Sequence, residues 1–164
     1  MTLPLGDWEM TERLLLAALI GALLGLEREW RQKTAGLRTN ILVAVGTTIF
    51  TLMSIEFANG VPGADPGRLA AQIVTGIGFL GAGAIMRTES GIQGLTTAAT
   101  VWVNAALSVA VGGGEYHLAV IGAVVTLSAL LILHPIESAL EKRIRHAHDR
   151  RLSDRSGNAA TTDA

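Results

Sequence analysis

Residues 69–86 read LAAQIVTGIGFLGAGAIM, and the interpretation of this run decides the fold. Gly76, Gly78 and Gly81 form G-x-G-x-x-G, which in a water-soluble protein marks a dinucleotide site. That chemistry needs a strand before the glycines, a helix start after them and an acid about 20 residues on. Here the pattern lies inside an apolar run, and the next acids are Glu89 and Glu115. The run is instead read as a membrane-crossing helix, for which about 20 largely apolar residues are needed at ~1.5 Å rise each. Its glycines Gly76, Gly78, Gly81 and Gly83 allow close approach of a neighbouring backbone, and Gly21 and Gly25 of the sequence GALLG offer a matching groove. The alternative is an unwound helix whose carbonyls ligate a cation. Each glycine weakens a helix by about 1 kcal/mol relative to alanine, so unwinding is permitted but not required, and packing is the favoured reading.

Working outward, four more stretches are long, apolar and nearly free of charge: residues 10–26, 39–57, 95–111 and 117–134. The second and third of the five reach full crossing length, while the others draw on their flanks. Pro4, Pro62, Pro66 and Pro135 all fall in connections or at an end, where a missing backbone N–H is tolerated. The expected fold is all-α, a polytopic membrane protein of five transmembrane helices.

Charge sets the orientation. Arg28, Arg31, Lys33, Arg38, Arg87 and the six basic residues of the tail lie on one side, against Arg13 and Arg68 on the other. Under the positive-inside rule the amino terminus is outside and the carboxyl terminus cytoplasmic. The first stretch follows acidic residues (Asp7, Glu9, Glu12) and precedes its basic cluster, so it reads as a span and not as a cleaved signal. Trp8 and Trp30, 22 residues apart, read as interfacial anchors. Residues 1–135 form the five-span membrane domain. Residues 136–164 hold an amphipathic helix (Ile136, Leu140, Ile144, Ala147) along the inner leaflet, followed by a disordered polar tail.

The 164 residues contain no cysteine, which excludes disulfides and thiolate metal sites. Five spans leave no room for a soluble catalytic domain, and no nucleic-acid partner is expected. Thr96 and Thr97 have no histidine or lysine beside them in sequence, so no nucleophile–base pair suggests an enzyme. His117, His134, His146 and His148 are taken as interfacial, with no metal or other cofactor assigned. Carboxylates converging at membrane depth, as a magnesium conduit requires, are missing from the sequence pattern.

Polar groups at membrane depth each need a partner. Gln72 and Thr75 lie in the third stretch. In the fourth, Thr96, Thr100 and Asn104 share a face at four-residue spacing, with Thr97 adjacent and Ser108 continuing it. That stripe is expected to face the interior. Threonine and serine hydroxyls can return to the carbonyl one turn back, which leaves Asn104 as the best reporter of an interior contact. At the inner face Glu27 is expected to pair with Arg38 or Arg87. At the outer face Asp65 is placed to cap the third helix ahead of Pro66, with Arg68 beside it. Ordinary interfacial ion pairing accounts for most of these charges.

Four strings in this order, GLERE (residues 25–29), AGLRT (35–39), DPGRLAAQIVTGIGFLGAGAI (65–85) and GLTTAATVW (94–102), resemble the MgtC/SapB family. The resemblance covers about residues 10–135. It implies a five-span bacterial inner-membrane protein linked to adaptation to low magnesium and, in pathogens, to virulence. The best-known members restrain the membrane ATP synthase, although family names often say magnesium transporter. Virulence-type members continue into a cytoplasmic domain that this sequence does not contain, so a short form is expected. The motif positions carried over are Glu27, Arg28, Arg38, Asp65, Arg68, Gly76, Gly78, Gly81, Gly83, Thr96, Thr97 and Trp102, to which the polar stripe adds Gln72, Thr100 and Asn104. The expected function is non-enzymatic regulation through contact with another membrane protein, the ATP synthase or a cation transporter. The alternative is a homo-oligomer passing Mg²⁺ or another cation.

Overall fold

A computed structural model describes residues 5–133 apart from Gly60, Pro66 and Ser90. Its elements run α1 (Asp7–Trp30), α2 (Leu37–Ala58), α3 (Gly67–Gly83), β1 (Met86–Thr88), β2 (Gly91–Gln93), α4 (Leu95–Gly113) and α5 (Tyr116–Leu133). Two compact units divide at Leu127. The first holds α1–α4, the hairpin and residues 116–127 of α5; residues 128–133 are the described beginning of the second. The proposed tail helix, His134, His146 and His148 lie outside the described residues.

α2, α4 and α5 are long and apolar enough to cross a membrane. α1 has 24 residues, with Asp7 and Glu9 in its first turn and Arg28 in its last, each complementing the helix dipole. Trp8 and Trp30 sit exposed at its two ends. The third stretch departs from expectation. Its helix has 17 residues and stops at Gly83, so it is the shortest of the five described helices and not one of the two longest. Ala84 N–H donates back to the carbonyls of Leu80 and Gly81, and Ile85 N–H to that of Ala82, tightening the last turn. The chain then forms an antiparallel hairpin with Met86 opposite Gln93 and Thr88 opposite Gly91. An otherwise all-α fold thus carries a short β element where a plain connection was expected. Gly94, with φ 89°, joins the hairpin to α4 in a backbone conformation that suits glycine.

α1, α2 and α4 form the packed centre, and glycine sets their spacing. A methyl on Gly21 would lie 2.7 Å from the Asn40 carbonyl oxygen, and one on Gly25 2.7 Å from the Leu37 Cα. On α4, a methyl at Gly112 would meet the Thr51 Cβ at 2.8 Å. The groove of GALLG is therefore filled by α2 and not by the glycines of α3. Of those, Gly81 has Ala98 within reach, whereas a methyl on Gly76, Gly78 or Gly83 would meet nothing within 4 Å among the described residues. α3 is a continuous helix, without the unwinding considered from sequence.

The exterior is apolar, unlike that of a water-soluble bundle, and the interior mixes apolar residues such as Leu24 and Val111 with polar ones. Leu15, Leu19, Leu42, Phe50, Phe57 and Phe79 are exposed, whereas Asn40, Thr48, Asn104 and Ser108 are fully buried. Lipid accepts apolar side chains as readily as a protein core does, so packing and interhelical hydrogen bonds determine what lies inside.

Candidate functional site

The site is built where α1 ends. Glu27 and Arg31 are four residues apart, on one face of the helix, and form an ion pair. Arg28 turns inward. It is 3% exposed, its Nη2 donates to Thr97 Oγ1 at 2.8 Å, and its Nη1 lies 3.8 Å from Glu27 Oε2. A guanidinium taken out of water so completely needs both charge and hydrogen-bond partners, and α4 supplies the latter through its first turn. Thr34 Oγ1 approaches the same Thr97 hydroxyl at 3.4 Å. Glu27 is 6% exposed, and neither of its oxygens receives a hydrogen bond among the described residues. Its partners among the described residues are the guanidiniums of Arg31 and Arg28.

Glu29 points the other way and caps α2, accepting the Leu37 N–H at Oε2, 3.0 Å. Between the helices, Gln32 and Ala35 adopt φ of 53° and 58°, a region non-glycine residues rarely occupy. The carbonyls that this bend turns inward are met by Asn40, whose Nδ2 donates to Ala35 O at 2.6 Å and Gly36 O at 3.0 Å. Asn104 in turn donates to Asn40 O at 2.8 Å and Oδ1 at 3.2 Å. The loop, α2 and α4 are thus joined through two buried carboxamides.

Below this pair the polar interior continues. Thr48 donates to the Ser108 carbonyl at 3.3 Å, while Ser108, Thr51 and Thr100 return their hydroxyls one turn back along their own helices. At the opposite end Arg13 donates through Nη1 to Gly112 O at 2.6 Å. There α4 ends in a Schellman turn, with Glu115 N–H on Ala110 O and Gly114 at φ 85°. A cation on the last carbonyls also meets the negative end of the helix dipole.

Six of the residues singled out from sequence come together in this interior: Glu27, Arg28, Thr97, Thr100, Asn104 and Ser108. Others do not. Thr96 is exposed, because the buried face of α4 follows Thr97, Thr100, Asn104 and Ser108; the tilt of a 3.6-residue turn replaces Thr96 by its neighbour. Glu27 pairs with Arg31 and Arg28, not with Arg38 or Arg87, both of which are exposed. Gln72, Gly76, Gly78, Gly83, Arg68 and Trp102 face outward, and Gly81 packs beneath Ala98. Asp65 Oδ1 accepts the Gly67 N–H at 2.7 Å at the start of α3. Gln72 has no interior role, and Thr75 returns its hydroxyl to Ala71 O. Sequence reasoning missed Asn40 and Arg13. The available signals were an asparagine one turn into an apolar helix and a lone arginine among leucines.

Residues 14–139 match the profile described as the MgtC family. The chain belongs to the MgtC family. It is 46% identical over 139 residues to "Protein MgtC" of Salmonella paratyphi A, a match covering 79% of this chain and 58% of that protein. It is 43% identical over 143 residues to the Escherichia coli (strain K12) protein named "Putative magnesium transporter YhiD", covering 84% and 66%. The chain thus spans about 58% of the Salmonella relative's length. No solved structure matches it. MgtC family membership and the three long apolar helices among the described residues make this a membrane protein, and one of its relatives carries a name linked to magnesium. Among the described residues, no group of three or more His, Cys, Asp or Glu side chains is placed to hold a metal ion.

Proposed function

We propose that this protein is a five-span protein of the bacterial inner membrane, with its amino terminus outside and its tail in the cytoplasm. In this reading it acts without catalysis, as a regulator linked to magnesium homeostasis or to restraint of the ATP synthase, by pressing one helix against another membrane protein. One observation carries the reading. On the outward side of α3, Ala71, Thr75, Gly78 and Ala82 are all small, all exposed and spaced by three or four residues. A methyl on Gly78 would have nothing within 4 Å. Small residues on a lipid-facing stripe let a second helix approach to backbone distance, where packing and interhelical hydrogen bonds provide the attraction.

The test is affinity capture of the tagged protein from its native membrane, wild type against Gly78→Leu. Loss of the co-purifying membrane complex, with insertion and melting temperature unchanged, is the expected result. Equal capture by both would overturn the stripe as a contact. The name of the E. coli relative favours transport instead. Saturable Mg²⁺ uptake into liposomes containing only this chain would replace the regulator reading with that one.

A further inference from the structure

On the other flank of α3, between it and α2, an open groove of about 580 Å³ faces outward. Its walls include Thr39, Leu42, Gly46 and Phe50 of α2 and Gln72 and Gly76 of α3, above a floor of Val43 and Ile77. The space exists because side chains are missing from both walls: a methyl at Gly46 or Gly76 would touch nothing within 4 Å. On α2 the groove runs from Thr39 to Phe50, about 16 Å at ~1.5 Å per residue, or half the ~30 Å hydrocarbon thickness. A crossing helix would need a seat of the full thickness. An acyl chain needs the depth of one leaflet.

The groove's mouth bears on the headgroup. Thr39 lies in the first turn of α2, the positive end of that helix's dipole. Arg38 is exposed next to it in the same turn, one turn before Leu42 at the edge of the groove. We propose that this groove holds one acyl chain of an anionic phospholipid, with the lipid phosphate against Arg38. The proposal uses a different face from the stripe through Gly78 and does not depend on which protein that stripe meets.

Native mass spectrometry of the detergent-purified protein tests it, titrating phosphatidylglycerol and phosphatidylcholine of identical chains. One phosphatidylglycerol should be retained about fivefold more readily than phosphatidylcholine, the preference one arginine near an anionic group confers. Gly46→Leu and Gly76→Leu, each filling the groove, should lower retention of both lipids while circular dichroism stays unchanged. Arg38→Gln should abolish the preference and leave phosphatidylcholine binding intact. Arg68→Gln, beyond the far end of the groove, should change nothing. Lipid retention unaltered in both leucine variants, or a headgroup preference that survives Arg38→Gln or vanishes with Arg68→Gln, would overturn the proposal. So would a dimer of the chain that either leucine variant dissociates, because a second copy would then occupy the groove.

Discussion

Gly25→Ala and Gly76→Ala make the same chemical change in two helices and should give opposite outcomes. Both exchange glycine for alanine inside a helix, a gain in propensity of about 1 kcal/mol that is common to the two variants. At Gly25 the new methyl would lie 2.7 Å from the Leu37 Cα and 3.1 Å from the Gly36 carbonyl oxygen. Both are backbone atoms, so no rotamer change relieves the contact, and α1 must move away from α2. Forcing an extra carbon into a packed interface costs about 1–3 kcal/mol. At Gly76 the methyl meets open space, and only the propensity gain remains. The propensity term cancels in the difference, which leaves Gly25→Ala less stable than Gly76→Ala by about 1–3 kcal/mol. For a chain of this size that is several degrees of melting temperature at about 2–4 °C per kcal/mol. Thermal unfolding followed by circular dichroism in one detergent, with both variants measured beside wild type, reads the difference directly. Equal melting temperatures, or Gly76→Ala the less stable, would show that α1 and α2 are not held at the distance described.

Two further substitutions examine the polar end of the bundle. Arg28→Met leaves the buried Glu27 with Arg31 as its cation among the described residues; removal of one partner of a buried pair costs about 3 kcal/mol. Adding Glu27→Gln should recover more than half of the lost stability in the same melting assay, and a single variant as stable as wild type would contradict the buried pairing. Ala35→Gly should raise stability by about 0.5–1 kcal/mol, since a left-handed conformation costs a non-glycine residue about 1–2 kcal/mol and glycine returns part of that as entropy. A decrease would mean that the φ of 58° at Ala35 is not the backbone's resting state in the membrane.

The positions of the helices were legible because lipid imposes a one-dimensional rule: apolar length between charged ends. The rule predicted α1, α2, α4 and α5 to within a few residues. It failed at the end of α3, where residues 84–86 are apolar yet belong to a turn and a strand. Hydropathy cannot separate an apolar helix end from an apolar hairpin. Glycine was the second difficulty. GALLG on α1 and the run on α3 look alike in sequence, yet one is filled by Asn40 and Ala44 of α2 while much of the other is open. Which glycine has a partner depends on a helix elsewhere in the chain, and no local pattern reports that. Asn104 was legible because a carboxamide cannot satisfy all its hydrogen-bonding groups within its own helix. Its partner Asn40 was not, because the bond depends on how α2 and α4 meet.

The same contacts bear on how a protein of this kind would act. A route for a hydrated cation through α1, α2 and α4 would have to separate Gly21 from Asn40, Gly25 from Leu37 and Gly112 from Thr51, each at van der Waals contact or closer for any added atom. It would also have to break the Asn104–Asn40 bonds and the Arg13 cap on α4. Opening so closely packed a centre forfeits packing and hydrogen bonds together, and lipid provides no compensating solvation for the freed groups. α3 makes the opposite case. A methyl added at Gly76, Gly78 or Gly83 would meet nothing within 4 Å among the described residues, and the groove beside α2 is already open, so a ligand or helix can settle there without displacing a described contact. A rigid polar centre holding one helix with two accessible faces is suited to binding in the plane of the membrane, and that asymmetry is the physical ground for preferring regulation by contact over conduction.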